Sequence, residues 1–137
     1  MAGEPMVRGA TDITGFGLLG HAAEMVEASR AGIALRAADI PILPGALALA
    51  EKGRFSGGMK RNRTHLEHTL GARGRLSIGS SVGAAHAGLL FESETSGGLF
   101  FGVAPEAAGM VRDGFERRGE ACWEIGEVTA EIGIAVR

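Results

Sequence analysis

Residues 11–21, TDITGFGLLGH, constrain this chain more than any other part of its sequence. They place an acid, two hydroxyls and three glycines where an apolar helix begins. Glycines let a backbone approach an anion closely, and the start of a helix carries partial positive charge. The segment is therefore typical of a site that holds a metal ion and phosphate against a helix N-terminus. Because it lies so near the start of the sequence, we expect the site to need further protein, and the chain to be part of something larger.

The composition is that of one globular domain. The chain has 137 residues, of which 45% are hydrophobic and 22% are charged. A formal charge of −2 favours neither nucleic acid nor an anionic membrane as a partner. Cys122 is the only cysteine, which excludes an internal disulfide and a multi-cysteine metal site. We expect a cytoplasmic location, since neither a leader nor a membrane-spanning apolar run is present.

The spacing of apolar residues predicts most of the elements. Residues 15–31 repeat apolar side chains at a period near 3.6, which predicts an amphipathic helix capped by Thr14 and stopped at Gly32. The other predicted elements are a strand over 33–36, a helix over 45–52 ended by Gly53, a buried strand over 98–103, a helix over 106–118 ended by Gly119, and strands over 122–128 and 132–136. The last two strands are close enough to pair as a hairpin.

Periodicity fades between residues 53 and 88, where glycines and basic residues are frequent. We expect one or two helical turns at 65–70 in a stretch that is functional, mobile or held by a partner. The mixture of helices and strands predicts an α+β fold (mixed α/β layers), with helices packed on a mixed β-sheet. We interpret residues 1–9 as a tail or linker remnant and residues 10–137 as the domain.

Asp12 is the strongest candidate ligand of the first segment. A carboxylate just before a helix can accept backbone N–H groups, or face a magnesium ion that bridges to phosphate. Gly15 and Gly17 would let the backbone approach an anion. The alternative interpretation is that Asp12 and Thr14 only cap the helix, while the glycines serve packing.

Two further glycine-rich segments are candidate anion sites. Residues 94–98, ETSGG, bring two hydroxyls and two glycines ahead of the apolar strand, as a simple turn into that strand would also do. Residues 57–63, GGMKRNR, place three cations within four residues after a glycine pair. These cations could neutralise phosphate, although a solvated loop has the same composition.

The histidines and the cysteine are weaker signals. His21 lies one turn into the first helix, where a packed or solvated histidine is the ordinary interpretation. His65 and His68 share a helix face, but zinc would need a third ligand from elsewhere. We interpret Cys122 as a core thiol in a strand. No Ser-His-Asp set, P-loop or dinucleotide fingerprint is present, so the residues alone do not specify an activity.

Taken in order, four stretches resemble the C-terminal domain of selenophosphate synthetase (selenide, water dikinase), a branch of the aminoimidazole-ribonucleotide-synthetase superfamily. They are TDITGFGLLGH at 11–21, PILPGALALAEKG at 41–53, GGMKRN at 57–62 and ETSGGLFFGV at 94–103. The resemblance extends from Ala10 to Val128. The Gly-Gly and Arg-Asn element at 57–62 is the part that indicates this branch.

The resemblance implies a domain that shares an ATP site with an N-terminal domain. That family makes selenophosphate from selenide, ATP and water, releasing AMP and phosphate, and it uses Mg²⁺ and K⁺. Its N-terminal domain forms a homodimer, and the nucleotide lies between the two domains. By motif, Asp12 resembles the carboxylate that helps to hold magnesium on the ATP phosphates. The residues implied to line the nucleotide site are Thr11, Thr14, Gly15, Arg61, Asn62, Thr95, Ser96 and Gly97.

The sequence also departs from the family. Glu92-Ser93-Glu94 replaces the usual Asp-Pro-Gln, which removes a proline and adds a negative charge near the phosphate site. The N-terminal domain, with its reactive Cys or selenocysteine and its Lys, is absent from this chain, and Cys122 does not match that nucleophile. The chain alone is therefore expected to be inactive. Its exposed cleft face is expected to promote self-association or docking of a partner. The alternatives are a stand-alone non-catalytic binding domain, or another superfamily branch such as hydrogenase maturation or thiamine monophosphate kinase.

Overall fold

The computed structural model describes residues 6–137, and within this range the chain forms strands, α-helices and short 3-10 helices. The strands are β1 (Val7–Asp12), β2 (Gly32–Leu35), β3 (Leu76–Ile78), β4 (Leu99–Val103), β5 (Gly126–Thr129) and β6 (Gly133–Val136). The α-helices are α1 (Gly17–Ser29), α2 (Ala46–Glu51), α3 (Gly57–Thr69), α4 (Ala84–Leu89) and α5 (Ala108–Glu116). The 3-10 helices are Ala37–Asp39, Gly71–Arg73 and Pro105–Ala107.

The larger sheet has the strand order β3-β6-β2-β5. Strand β6 is parallel to both β2 and β3, whereas β5 is antiparallel to β2. The two central strands carry the buried side chains of Leu35, Ile134 and Val136, and α1 packs against them. The predicted α+β class, with helices on a mixed sheet, is confirmed.

The predicted hairpin of the last two strands is wrong, because β5 and β6 lie on opposite sides of β2. Thr129 at the end of β5 and Gly133 at the start of β6 both lie beside Gly32. Residues 130–132 therefore cross the end of β2, and a Cβ atom on Gly32 would overlap the carbonyl oxygen of Glu131. A glycine at this position is what permits the crossing.

Helix α1 provides much of the core but is shorter than predicted. Phe16, and not Thr14, is its N-cap residue, and Arg30 ends it in a left-handed conformation with φ of 55°. Gly32 belongs to β2 and does not stop the helix. The buried side chains of α1 and those packed around them include Leu18, Leu19, Ala22, Val26, Leu35, Leu66, Leu70, Phe91 and Val136.

The stretch of residues 53–88 is more regular than its weak periodicity indicated. It contains the 13-residue α3 together with β3 and α4, and the turns expected at 65–70 are the last part of α3. Leu66 is the one large apolar residue of α3 that is fully buried, so the helical period is hard to see in the sequence. Its start does carry a local signal, since the Ser56 hydroxyl accepts the N–H groups of Gly58 and Met59.

A second, two-stranded sheet pairs β1 with β4 in antiparallel fashion and places Asp12 opposite Leu99. Strand β1 begins at Val7, inside the stretch interpreted as a tail. The prediction of a buried strand is wrong for β4, because Leu99 is 70% exposed and the other β4 residues are half-buried. The face around the end of this sheet is therefore accessible.

Cys122 was predicted to lie in a strand, and this prediction is wrong. It is half-buried in an irregular segment ahead of β5, which begins only at Gly126. Within residues 6–137, none of the helices has both the length and the apolar character required to cross a membrane.

Candidate functional site

Two of the three glycine-rich segments lie side by side. The N–H group of Ile13 donates to the carbonyl oxygen of Gly98 at 2.9 Å, which extends the pairing of β1 and β4 beyond Asp12. The N–H group of Glu94 donates to the carbonyl oxygen of Thr14 at 3.0 Å. The loop of residues 13–16 and the loop of residues 92–98 therefore form one layer at the end of the two-stranded sheet.

Asn62 connects the third segment to this layer. Its Nδ2 atom donates to the carbonyl oxygens of Gly15 and Phe91, each at 2.9 Å. The hydroxyl of Ser93 donates to the same Gly15 oxygen at 2.8 Å. Both amide hydrogens of Asn62 are thus directed at backbone oxygens, so this amide nitrogen holds the loops together and is not available to a phosphate.

The glycines in these loops serve close backbone approach. A Cβ atom on Gly17, whose φ is 71°, would lie 2.5 Å from the carbonyl oxygen of Glu92. A Cβ atom on Gly97 would lie 2.6 Å from the carbonyl oxygen of Ile13, and one on Gly58 would overlap the Ser93 hydroxyl. These contacts agree with the packing interpretation of the glycines.

Two N–H groups in the first turn of α1 are already engaged by protein carbonyls. The N–H group of Gly17 donates to the carbonyl oxygen of Thr14, and that of Leu19 to the carbonyl oxygen of Leu90, both at 3.1 Å. Gly17, Leu18 and Leu19 are also buried. These two N–H groups donate to protein carbonyls, so they do not make the contact with phosphate that was expected at the first turn of this helix.

Asp12 is the accessible charge of the layer. It is exposed at the end of β1, and within residues 6–137 its carboxylate has no hydrogen-bond or ion-pair partner. Thr11, next to it, donates its hydroxyl hydrogen to the Asp12 carbonyl oxygen at 3.1 Å. Thr95 and Ser96 are exposed in the neighbouring loop, with no side-chain hydrogen bond in the described part of the chain.

Asp12 suits a magnesium ion that is shared with other ligands. Magnesium prefers oxygen ligands and commonly takes one or two carboxylates together with water and phosphate oxygens. Residues 6–137 contain no group of three His, Cys, Asp or Glu side chains that could hold a metal by themselves. The donor set of this chain therefore fits one side of a magnesium site and does not complete it.

His21 contacts this layer in a way that the sequence did not predict. It is 7% exposed, its Nε2 atom lies 3.0 Å from the Thr14 hydroxyl, and its Nδ1 atom lies 2.9 Å from a Glu24 carboxylate oxygen. Spacing alone indicates only the pair of His21 and Glu24, which are one turn apart on α1. The contact with Thr14 depends on how the preceding loop folds back.

Two glutamates in the second loop bring negative charge to the same layer. An oxygen of the Glu92 carboxylate accepts the N–H group of Ser56 at 3.0 Å, while the other is buried without a partner in the described residues. Partial burial raises the pKa of the Glu94 carboxyl, and the nearby charge of Glu92 raises it further. Each cause favours the uncharged form of Glu94, which lowers its repulsion of an anion.

Arg61 faces a different recess from Asn62. It lines an open cleft of about 700 Å³ together with Lys60 and His65, at the start of α3. Arg63 forms an ion pair with Glu67 at 2.8 Å, and among residues 6–137 it is the one cation of the segment with an ion-pair partner. No contact in the described chain brings Arg61 to Asp12, and the third segment is therefore divided between a structural role and an accessible basic cleft.

Sequence comparison identifies the family of the chain. The family model described as AIR synthase related protein, C-terminal domain, matches residues 1–137. The chain belongs to this family. The resemblance inferred from the motifs is thus confirmed, and it extends further at both ends than the range from Ala10 to Val128.

Three of its relatives carry the same name. Proteins called selenide, water dikinase are 40% identical over 131 residues in Pelobacter propionicus and 40% identical over 132 residues in Paraburkholderia xenovorans. A third, from Nitratidesulfovibrio vulgaris, is 32% identical over 134 residues. These matches cover 94%, 93% and 98% of this chain but only 36%, 34% and 37% of the relatives. The chain thus spans about a third of the length of the relatives it matches.

A solved structure shares the fold. Thiamine-monophosphate kinase from Stenotrophomonas maltophilia superposes with a TM-score of 0.56, covering 96% of this chain and 31% of that protein. The two sequences are 14% identical, so this similarity supports the fold and not a shared activity.

Proposed function

We propose that this chain is the part of a selenide, water dikinase that binds the magnesium-bound phosphates of ATP. The observation that carries the proposal is the carboxylate of Asp12, which has no partner among residues 6–137 and is exposed at the end of β1 beside two loops that are hydrogen-bonded to each other. Relatives at 40% identity named selenide, water dikinase support the reaction, in which selenide, ATP and water give selenophosphate, AMP and phosphate.

Each site residue has a proposed role. Asp12 would hold the magnesium ion, which on binding neutralises phosphate charge and orients it. Thr95 and Ser96, whose hydroxyls have no hydrogen bond in the part of the chain that the structure describes, and the backbone at Gly15 and Gly97 would border the phosphates. Arg61 would attract the nucleotide from its cleft, while Thr11 and Asn62 would fix the loops. The proposal includes a potassium ion only because the family that the chain resembles uses one.

The proposed enzyme needs protein beyond this chain. The relatives are about three times as long as the segment they share with it, since the chain covers 36% of the first of them. Asp12 also provides one carboxylate where a magnesium site requires several oxygen ligands. We therefore propose that residues 10–137 act with an N-terminal catalytic domain, in a cytoplasmic homodimer, and that this chain alone does not turn over.

Nuclear magnetic resonance of the ¹⁵N-labelled 137-residue chain tests the proposed site. Titration with Mg-ATP should shift the amide signals of residues 12–16 and 93–98, and Asp12→Asn should remove these shifts without changing the rest of the spectrum. Asp113→Asn, on exposed α5, is the control for the loss of one carboxylate. Shifts confined to the cleft beside Arg61, or shifts that persist in Asp12→Asn, would contradict the role of Asp12.

A further inference from the structure

Three side chains connect the loop after β1 to helix α1. The Oγ1 atom of Thr14 lies 3.0 Å from Nε2 of His21, and Nδ1 of His21 lies 2.9 Å from Oε2 of Glu24. His21 and Glu24 are one turn apart, so the helix sets their spacing. When a hydroxyl, an imidazole and a carboxylate are hydrogen-bonded in this order, the carboxylate determines the tautomer of the ring. The ring in turn determines the orientation of the hydroxyl hydrogen.

The carboxylate decides the direction of the hydrogen bond at Nδ1, and in a neutral ring the direction of the bond at Nε2 follows from it. The Glu24 side chain is 58% exposed, and an ionised carboxylate has no hydrogen to donate, so it accepts from His21. Nδ1 of His21 therefore carries the ring hydrogen, and in the neutral ring Nε2 has a lone pair only. Beside this neutral ring the Thr14 hydroxyl donates to Nε2, which leaves its oxygen with lone pairs and no hydrogen toward any other partner.

The hydroxyl is held in place from several directions. The His21 ring is buried against Phe16, with ring centroids 5.7 Å apart. The carbonyl oxygen of Thr14 accepts the N–H groups of Gly17 at 3.1 Å and Glu94 at 3.0 Å. Both the backbone and the side chain of Thr14 are therefore fixed before any ligand binds.

Thr14 lies on the same side of the chain as Asp12. Ile13, between them, packs against the hydrophobic core, and its N–H group continues the pairing of β1 with β4 by donating to Gly98. Side chains alternate between the two sides of an extended chain. Asp12 and Thr14 thus both lie on the side away from the core.

We infer that His21 and Glu24 are positioning residues that make the Thr14 oxygen a ligand for the same cation as Asp12. The inference rests on the proposed function, because it deepens the cation site assigned there to Asp12. An oxygen that presents only lone pairs attracts a cation and repels phosphate oxygens. Thr14 therefore contacts the cation and does not donate a hydrogen bond to phosphate.

The ring hydrogen of His21 is the first test. Long-range ¹H–¹⁵N spectra of the ¹⁵N-labelled chain at neutral pH should show His21 protonated at Nδ1 alone. Exposed His68 in the same spectrum is the internal reference for an unconstrained ring. Glu24→Gln keeps a carbonyl acceptor and should keep the Nδ1–H form, whereas Glu24→Ala should lose it. A ring protonated at Nε2 would overturn the inference, since Thr14 would then accept from His21 and turn its own hydrogen outward.

Manganese binding is the second test, with Mn²⁺ as a paramagnetic probe for the magnesium site. Amide signals around Asp12 should broaden on titration, and Thr14→Val should weaken the Mn²⁺ affinity by about tenfold, a typical loss when a group around a metal is removed. Thr14→Ser should retain the affinity, and Thr69→Val, at the end of α3, is the matched control for loss of a hydroxyl.

The two ideas fail in different ways. Broadening around Asp12 that Thr14→Val leaves unchanged would overturn the ligand role of Thr14 while leaving the proposed cation site intact. A wild-type chain that shows no broadening around Asp12 would overturn the proposed cation site, and the role of Thr14 with it.

Discussion

At the scale of single residues, the site combines one accessible carboxylate with groups that the fold has already engaged. Asp12 is unpartnered within residues 6–137, whereas Asn62, Ser93 and His21 each hydrogen-bond to the loops around it. An arrangement of fixed groups around one free charge is what preorganised ion binding requires. The residues that bind and those that position are therefore different residues, although all lie in or beside the same motifs.

Glu94 is expected to make the stability of the chain depend on pH. Because burial and the charge of Glu92 raise its pKa, the folded chain binds a proton at Glu94 more tightly than the unfolded chain does. Its contribution to the free energy of unfolding is therefore most favourable below the ordinary pKa of a glutamate and declines as the pH rises through the folded pKa. Glu94→Gln should stabilise the chain at pH 7 and lose this advantage in acid.

Thermal unfolding at several pH values checks this prediction. Glu120→Gln, an exposed glutamate outside the site, is the control for the loss of one negative charge. A Glu94→Gln variant whose midpoint temperature shifts equally at pH 4 and pH 7, relative to this control, would contradict the raised pKa.

At the scale of elements, Asn62 should matter more for the loops than its neighbour Arg61 does. Asn62→Ala removes two hydrogen bonds to the carbonyl oxygens of Gly15 and Phe91, and we expect a loss of about 1–3 kcal/mol in the free energy of unfolding. Arg61→Ala, at an exposed position, should change it by no more than about 0.5 kcal/mol. Urea titration measures both, and equal effects of the two variants would argue against the connecting role of Asn62.

The crossing of the end of β2 makes a second prediction at this scale. Gly32→Ala would overlap the Glu131 carbonyl oxygen, so we expect it to destabilise the chain by about 3 kcal/mol or more. Gly109→Ala in α5 has nothing within 4 Å of its Cβ and should be neutral or stabilising by up to about 1 kcal/mol. A Gly32→Ala variant as stable as Gly109→Ala would show that the connection does not pass over this glycine.

The elements also show what the sequence could and could not predict. The predicted helix over 15–31 and strand over 33–36 correspond to α1 and β2, because local apolar periodicity marks both. The hairpin prediction failed since sequence proximity favours pairing, whereas the order of the sheet depends on contacts between distant segments. Only the last part of α3 was predicted, and its first turns were missed, because only Leu66 among its large apolar residues is buried.

Local motifs also predicted part of the site, and again the contacts between distant segments were missed. The glycine-rich motifs located its loops, but the hydrogen bond from Asn62 to Gly15 joins residues 47 positions apart, which no local pattern reveals. The packed histidine that was the ordinary interpretation of His21 is what the structure shows, but its contact with Thr14 was not predicted because Thr14 lies outside the helix. The roles predicted for Asp12, Thr95 and Ser96 in ligand binding stay predictions.

At the scale of the whole molecule, an apolar edge lies at the loops of the site. Phe16 is 58% exposed and Leu99, opposite Asp12, is 70% exposed. If a further domain covers this edge, the isolated chain should self-associate weakly through it. The weight-average mass in sedimentation equilibrium should rise with concentration, and Leu99→Ser should reduce that rise. Leu49→Ser on α2, at a position 55% exposed, is the control and should leave it unchanged.

The most direct test of the whole account is activity in a complete enzyme. We would replace the matching third of the Pelobacter propionicus relative with this chain and measure AMP formation from ATP in the presence of selenide. The chimera should be active, and Asp12→Asn should lower kcat/KM by about 100-fold or more at unchanged thermal stability, since a charge facing magnesium is lost. An Asp12→Asn chimera with full activity would contradict the account.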